Sequence, residues 1–167
     1  IDNLSDSLNV STASLTEWQY AASTMGLEGD KVADIFKDVS DKIGDFSTTG
    51  GGEAADIFEN LNVQVSELQN LSPDEQLLKI GNALSDVESR SQQIFFLESL
   101  ANDATRLLPL LDNGAQRLIA LRREAQVLGV SISDIDADIV SQASTELGRL
   151  KALGEGTANS LAIEFAP

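Results

Sequence analysis

The sequence predicts an all-α fold: a compact bundle of about six to eight helices, the last of them longer. Three observations lead there. Apolar residues recur at three- and four-residue spacing along most of the chain. No stretch sustains the alternation of apolar and polar residues that marks a half-buried strand. Hydrophobic residues make up 42% of the 167 residues but aromatics only 5%, so a core must be built from Leu, Ile, Val and Ala. That length and hydrophobic content suit one domain with a real core and argue against disorder.

The elements follow in order. Residues 15–25 read as a helix because Leu15, Trp18, Ala22 and Met25 fall at helical spacing. Ser11 or Ser14 supplies its cap and Gly26 its end. Residues 30–45 carry two stripes. Val32, Ile35, Phe36, Val39 and Ile43 form one, and Asp30, Asp34, Asp38, Asp41 and Asp45 the other. At about 100° per residue the two stripes lie on nearly opposite faces. Asp38 and Lys42 add a favourable pair four residues apart. The triple glycine Gly50 to Gly52 is the predicted internal hinge. A short helix follows, with Ala54, Ile57, Phe58 and Leu61 inward.

"LSPDEQ" is a strong helix start: Ser72 at the N-cap, Pro73 in the first turn, Glu75 completing a capping box. Leu77, Ile80, Leu84 and Val87 then face one way. Residues 91–108 predict a helix apolar nearly all round, buried centrally or covered by another chain. Ile94, Leu97, Leu100 and Ala101 take one side, and Phe95 and Phe96 point away from it. Pro109 stops that helix or opens a new one. Asp112-Asn113-Gly114 makes a turn. Residues 115–128 resume a helix, with Leu118, Leu121, Ala125 and Leu128 inward and Gly129 at its end. A last helix is predicted from Ser133 to about Leu153, lined by Ile135, Ile139, Ala143, Leu147 and Leu150. The predicted division is a helical domain over 1–153 and a linker or frayed helix end over 154–167.

Composition narrows the chemistry. Twenty-seven Asp and Glu against 11 Lys and Arg give a net charge of −16. Such a chain repels nucleic-acid phosphates and anionic membrane surfaces, so neither is an expected partner. A basic partner, or no electrostatic partner at all, suits it better. With no Cys there is no thiolate or disulfide chemistry, and with no His the commonest acid–base residue and metal ligand is missing. No apolar run reaches membrane-spanning length, and no signal peptide is visible. The chain opens on Ile1, which implies a piece of something longer.

No constellation for catalysis emerges. "SDIDADI" places Asp134, Asp136 and Asp138 as in a calcium loop, but Ile139 stands where the glycine belongs and Thr145 where the glutamate belongs. "TGGGEAAD" lacks the Lys-Ser or Lys-Thr of a phosphate loop. Glu98, among apolar neighbours in "FFLESL", is the best single candidate for a catalytic acid. The sequence singles out no second carboxylate for it. The reading is therefore no enzyme, no cofactor and no metal. Two candidate protein-contact surfaces remain: the Phe95 and Phe96 side of the central helix, for its apolar excess, and the face of Arg117, Arg122 and Arg123, for its charge contrast.

Three segments, read in order, resemble phage tail tape-measure proteins. "LNVSTASLTEWQYAASTMGL" resembles their "LGVS…L..LQYAA...G" opening. "LSPDEQLLKIGNALSDVES" resembles their "LSPEE.L..IA.AL..." segment, and "RLLPLLDNGAQRLIALRREAQVLGVSIS" their "ELLPLL..G...I..L..EA..LG..LS" segment. The quoted segments lie within residues 8–133, and the resemblance covers about 8–153. The chain departs from the pattern at Asn102 and Asp103, where the family often has glycine.

The resemblance implies a largely helical protein that sets tail length. Tail-tube subunits polymerise around it, and tail-assembly chaperones coat it first; apart from the resemblance, self-association of the chain is expected. It also implies residence in the host cytoplasm during assembly and in the virion tail afterwards. Some members carry peptidoglycan-cleaving domains elsewhere; no catalytic residue is carried over. Two other readings stand beside it: a carboxylate-based peptidoglycan hydrolase using Glu98, and an unrelated helical protein-binding module.

Overall fold

The computed structural model describes residues 2–131. Among them are eight α-helices and one 3-10 turn, with no strand. The helices are α1 (Asp2–Leu8), α2 (Thr12–Ser23), α3 (Gly29–Thr49), α4 (Ala55–Asn60), α5 (Val65–Leu68), α6 (Pro73–Leu84), α7 (Arg90–Leu100) and α8 (Leu108–Val127). The 3-10 turn, Asn102–Leu107, leads straight into α8, and the two make the longest helical run among the described residues. The helix predicted over 133–153, the Asp134–Asp138 stretch and the boundary after Leu153 lie outside the described residues.

Helix ends follow local chemistry. Ser11 caps α2 in extended conformation, its side chain accepting from the Ser14 amide at 3.1 Å. The α3 helix ends at Gly50, whose φ of +69° places it in the left-handed region that glycine adopts without strain. The predicted hinge is thus a helix stop that turns the chain into α4. At α6 the predicted capping box is present: Pro73 opens the helix and the Glu75 carboxylate accepts from the Ser72 amide at 3.1 Å. Replacing Ser72 by Ala is expected to cost about 1 kcal/mol in urea denaturation. An unchanged midpoint would mean that Pro73 alone sets this helix start.

Four helices make the frame. α2 packs on α3 and α8, and α6 also packs on α3 and α8, so the four close a ring around one core. Val32, Ile35, Phe36, Val39 and Ile43 all face that core, while the five aspartates of α3 are exposed, as the two stripes predict. Trp18 sits fully buried, edge-on to Phe36 at 5.4 Å. Its indole N–H is buried with no hydrogen-bond partner among the described residues. As the chain's single tryptophan it reports directly on the core.

Five expectations need correction. The helix over 91–108 is broken: Ala101 is extended, with φ −160° and ψ 133°, so α7 ends at Leu100 and the 3-10 turn begins. The break lies beside Asn102 and Asp103, which hold no glycine but turn all the same. The break also moves α7 from the predicted centre to an edge. There it packs against α3 and the 3-10 turn. Ile94, expected inward, is 37% exposed, and Phe96, expected outward, is 7% exposed and part of the core. The register explains this: Phe96 lies one turn from the buried Leu100, on the inner side. Leu128, also expected inward, is 60% exposed because α8 ends at Val127 and Leu128 leaves the inward stripe.

The Pro109 question resolves cleanly. Pro109 sits in the first turn of α8, where a missing amide costs nothing. The helix is then interrupted at Asp112–Ala115. Asn113, Gly114 and Ala115 have φ values of +53°, +69° and +58°. Asp112 is held there by Arg90 at the start of α7, at 2.8 Å. Two short helices escaped the sequence reading: α1, and α5, which is a single turn.

Candidate protein-contact surface

The two surfaces marked in the sequence come apart in the fold. On α7, Phe95 is 52% exposed beside the exposed Ile94 and Glu98, while Phe96 turns into the core with its ring 5.7 Å from that of Phe95. Phe95 and Glu98 form one wall of an open cleft of about 430 Å³. Asp56 of α4 and Glu53, two residues before that helix, line it too, together with Ser99 and Asn102. Glu53 pairs with Lys42 of α3, and that hydrogen bond holds the Lys42 ammonium above its ordinary value. The carboxylates of Asp56 and Glu98 make no hydrogen bond or ion pair among the described residues.

On α8, Arg117 and Arg123 are exposed beside Ile119, at 46% exposure. Arg122 is not part of that face in the sense expected. Its guanidinium Nε donates to the Glu17 carboxylate at 2.8 Å. The arginine of the sequence cluster that looked free is instead a strut between α8 and α2.

Glu17 is the centre of a buried polar network that sequence reasoning missed. It is 3% exposed, and Gln126 and Ser131 also donate to it, at 2.7 and 2.9 Å. Burial alone pushes the carboxyl up. The hydrogen bonds from Gln126, Arg122 and Ser131, with the Arg122 charge, outweigh that and bring it below its ordinary 4.5. The network continues: Arg122 reaches within 3.4 Å of the Ser14 hydroxyl, and Ser14 donates to the buried Asp74 of α6. Ser72 donates to the other Asp74 oxygen at 2.5 Å. The available signal was register: Glu17 sits between Leu15 and Trp18 on the buried side of α2.

Among the described residues no group of three or more Asp, Glu, His or Cys is placed to hold a metal ion. None of their helices is long and apolar enough to cross a membrane. What fold and surface define is an all-α bundle tied together by a buried polar network, with an acidic cleft around an exposed aromatic ring. Compared with family models, with curated proteins and with solved structures, the chain gives no match.

Proposed function

We propose that this chain is a structural segment of a phage tail tape-measure protein, helping to set tail length and to template assembly of the tail tube. The observation that carries the reading is the ordered trio of segments that resemble that family. In the fold these segments build α2, α6 and α8. One network, running from Glu17 through Arg122 and Ser14 to Asp74, joins all three. The residues that carry the resemblance are also those used for caps and core: Ser72 and Pro73 open α6, Pro109 opens α8, and Leu110, Leu111 and Leu118 are buried.

The partners in this reading are tail-tube subunits and assembly chaperones, first in the host cytoplasm and then in the virion tail. The test is tail length by negative-stain microscopy after in-frame deletion of these residues from the parent gene. As one continuous helix at about 1.5 Å per residue the segment spans roughly 250 Å. Tails shortened by about that amount are the expected result. Tails of unchanged length would remove the segment from the ruler.

One observation favours a hydrolase instead: Glu98 shares its cleft with Asp56 and Glu53, the second carboxylates that the sequence did not single out. A general acid of this type needs an apolar, water-poor setting, whereas this cleft is open and Glu98 is exposed. Clearing of a peptidoglycan suspension that Glu98→Gln abolishes would establish the hydrolase.

A further inference from the structure

Phe95 is the exposed aromatic ring among the described residues; the other rings there are buried or half-buried. About half of its surface is in water, at 52% exposure, with the neighbouring Ile94 at 37%. An exposed ring with one aliphatic neighbour is a small apolar patch, and by its size alone it calls for no partner; its surroundings decide whether one fits. The charges around it favour a basic one. Asp56 and Glu98 line the same cleft as the ring, with carboxylates that no basic group of the described residues engages. A ring face attracts a cation, and two free carboxylates beside it strengthen that attraction.

From this we infer that the cleft between α4 and α7 is a docking site for a basic, amphipathic segment of another protein. A Lys or Arg side chain lies on the Phe95 ring with its charge held by Asp56 and Glu98, and the apolar side of the segment covers Ile94. A second copy of this chain is the poorer occupant, because two chains of charge −16 repel at long range. The inference stands on the cleft alone and does not depend on the tape-measure reading. Tail length tests one and peptide binding the other.

The probe is a fluorescein-labelled amphipathic Lys/Leu helical peptide, with a Glu/Leu peptide of the same pattern as control. Binding to the whole chain is read by fluorescence anisotropy at near-physiological salt. The variants are Phe95→Ser, the pair Asp56→Asn with Glu98→Gln, and the pair Asp34→Asn with Asp41→Asn. The last pair changes charge equally but on the outer face of α3. All five positions are exposed, and Trp18 emission confirms that each variant folds.

The expected result is binding of the Lys/Leu peptide alone, weakened at least about fivefold by Phe95→Ser and by the cleft pair, and less than about twofold by the α3 pair. Equal weakening by both charge pairs would reduce the binding to diffuse attraction and overturn the site. So would an unchanged affinity in Phe95→Ser, or no peptide binding while Phe95→Ser dissolves a dimer seen by sedimentation.

Discussion

Replacing Glu17 by Ala is expected to destabilise the fold by about 2–4 kcal/mol, somewhat below the range for breaking a fully buried pair, because Arg122 keeps access to water. The Glu17 side chain is 4% exposed and that of Arg122 29%. Removing the carboxylate takes one acceptor away from three donors at once, Arg122, Gln126 and Ser131. Two of these lie on α8 and the third in the turn beyond it, so the loss should be felt first where α8 leaves α2. Urea denaturation followed by Trp18 emission measures the total. Hydrogen exchange at residues 126–131 measures the local part. A loss under about 0.5 kcal/mol would mean that water replaces the network at little cost.

The same residue predicts a pH dependence. The folded carboxyl titrates below its ordinary 4.5. Its contribution is therefore fully present above that value and is lost as pH falls through the lower folded value. The stability difference between the parent chain and Glu17→Gln should be constant from neutral pH down to about pH 5 and shrink below it. The difference is the right quantity. Protonating the many other carboxylates also relieves self-repulsion in a chain of charge −16, which acts in the opposite direction. A difference that grows on acidification would contradict the assigned direction.

Gly81→Val is expected to cost about 1–3 kcal/mol by overpacking the contact between α6 and α8. A Cβ at Gly81 would meet Leu111 Cδ2 at 2.8 Å, its Cβ at 3.0 Å and its Cγ at 3.1 Å. A new Leu111 rotamer would relieve the Cδ2 and Cγ contacts but not the Cβ, which is fixed to its helix, so the two helices must also separate slightly. Gly81→Ala should cost less, since it gains up to about 1 kcal/mol of helix propensity against the same clash. Trimming Leu111 to Ala removes the Cδ2 and Cγ contacts, so Gly81→Ala should cost less in that background. If the two substitutions simply add, the close approach is not what fixes glycine here.

The helices that could be read from the sequence were those with a strong stripe or a strong start. The α3 stripe sorted its valines and isoleucines from its aspartates without ambiguity, because a 21-residue helix samples its own period many times. The capping box at Ser72 and the turn at Asn113-Gly114 were legible for a different reason: their chemistry is local and needs no partner. Where the stripe was weak, the reading failed. Around Phe95 and Phe96 every register is apolar, so only the break at Ala101, and the packing of α7 on the 3-10 turn, decides that Phe96 is buried and Phe95 is not.

The candidate surfaces divide the same way. Apolar excess at Phe95 was visible in the sequence, but Asp56 and Glu53 lie about 40 residues away and reach it only through the fold. Arg122 looks like its neighbour Arg123 in sequence. Its partner Glu17 is 105 residues distant, and nothing in either segment announces the pairing. What the sequence by itself determined is everything carried by near neighbours: the all-α class, the caps, the Asp stripe and the acidic balance. What only the tertiary structure decided is which charges are struts and which are free, because that depends on long-range burial, and burial is a property of the packed ring of helices rather than of any one segment.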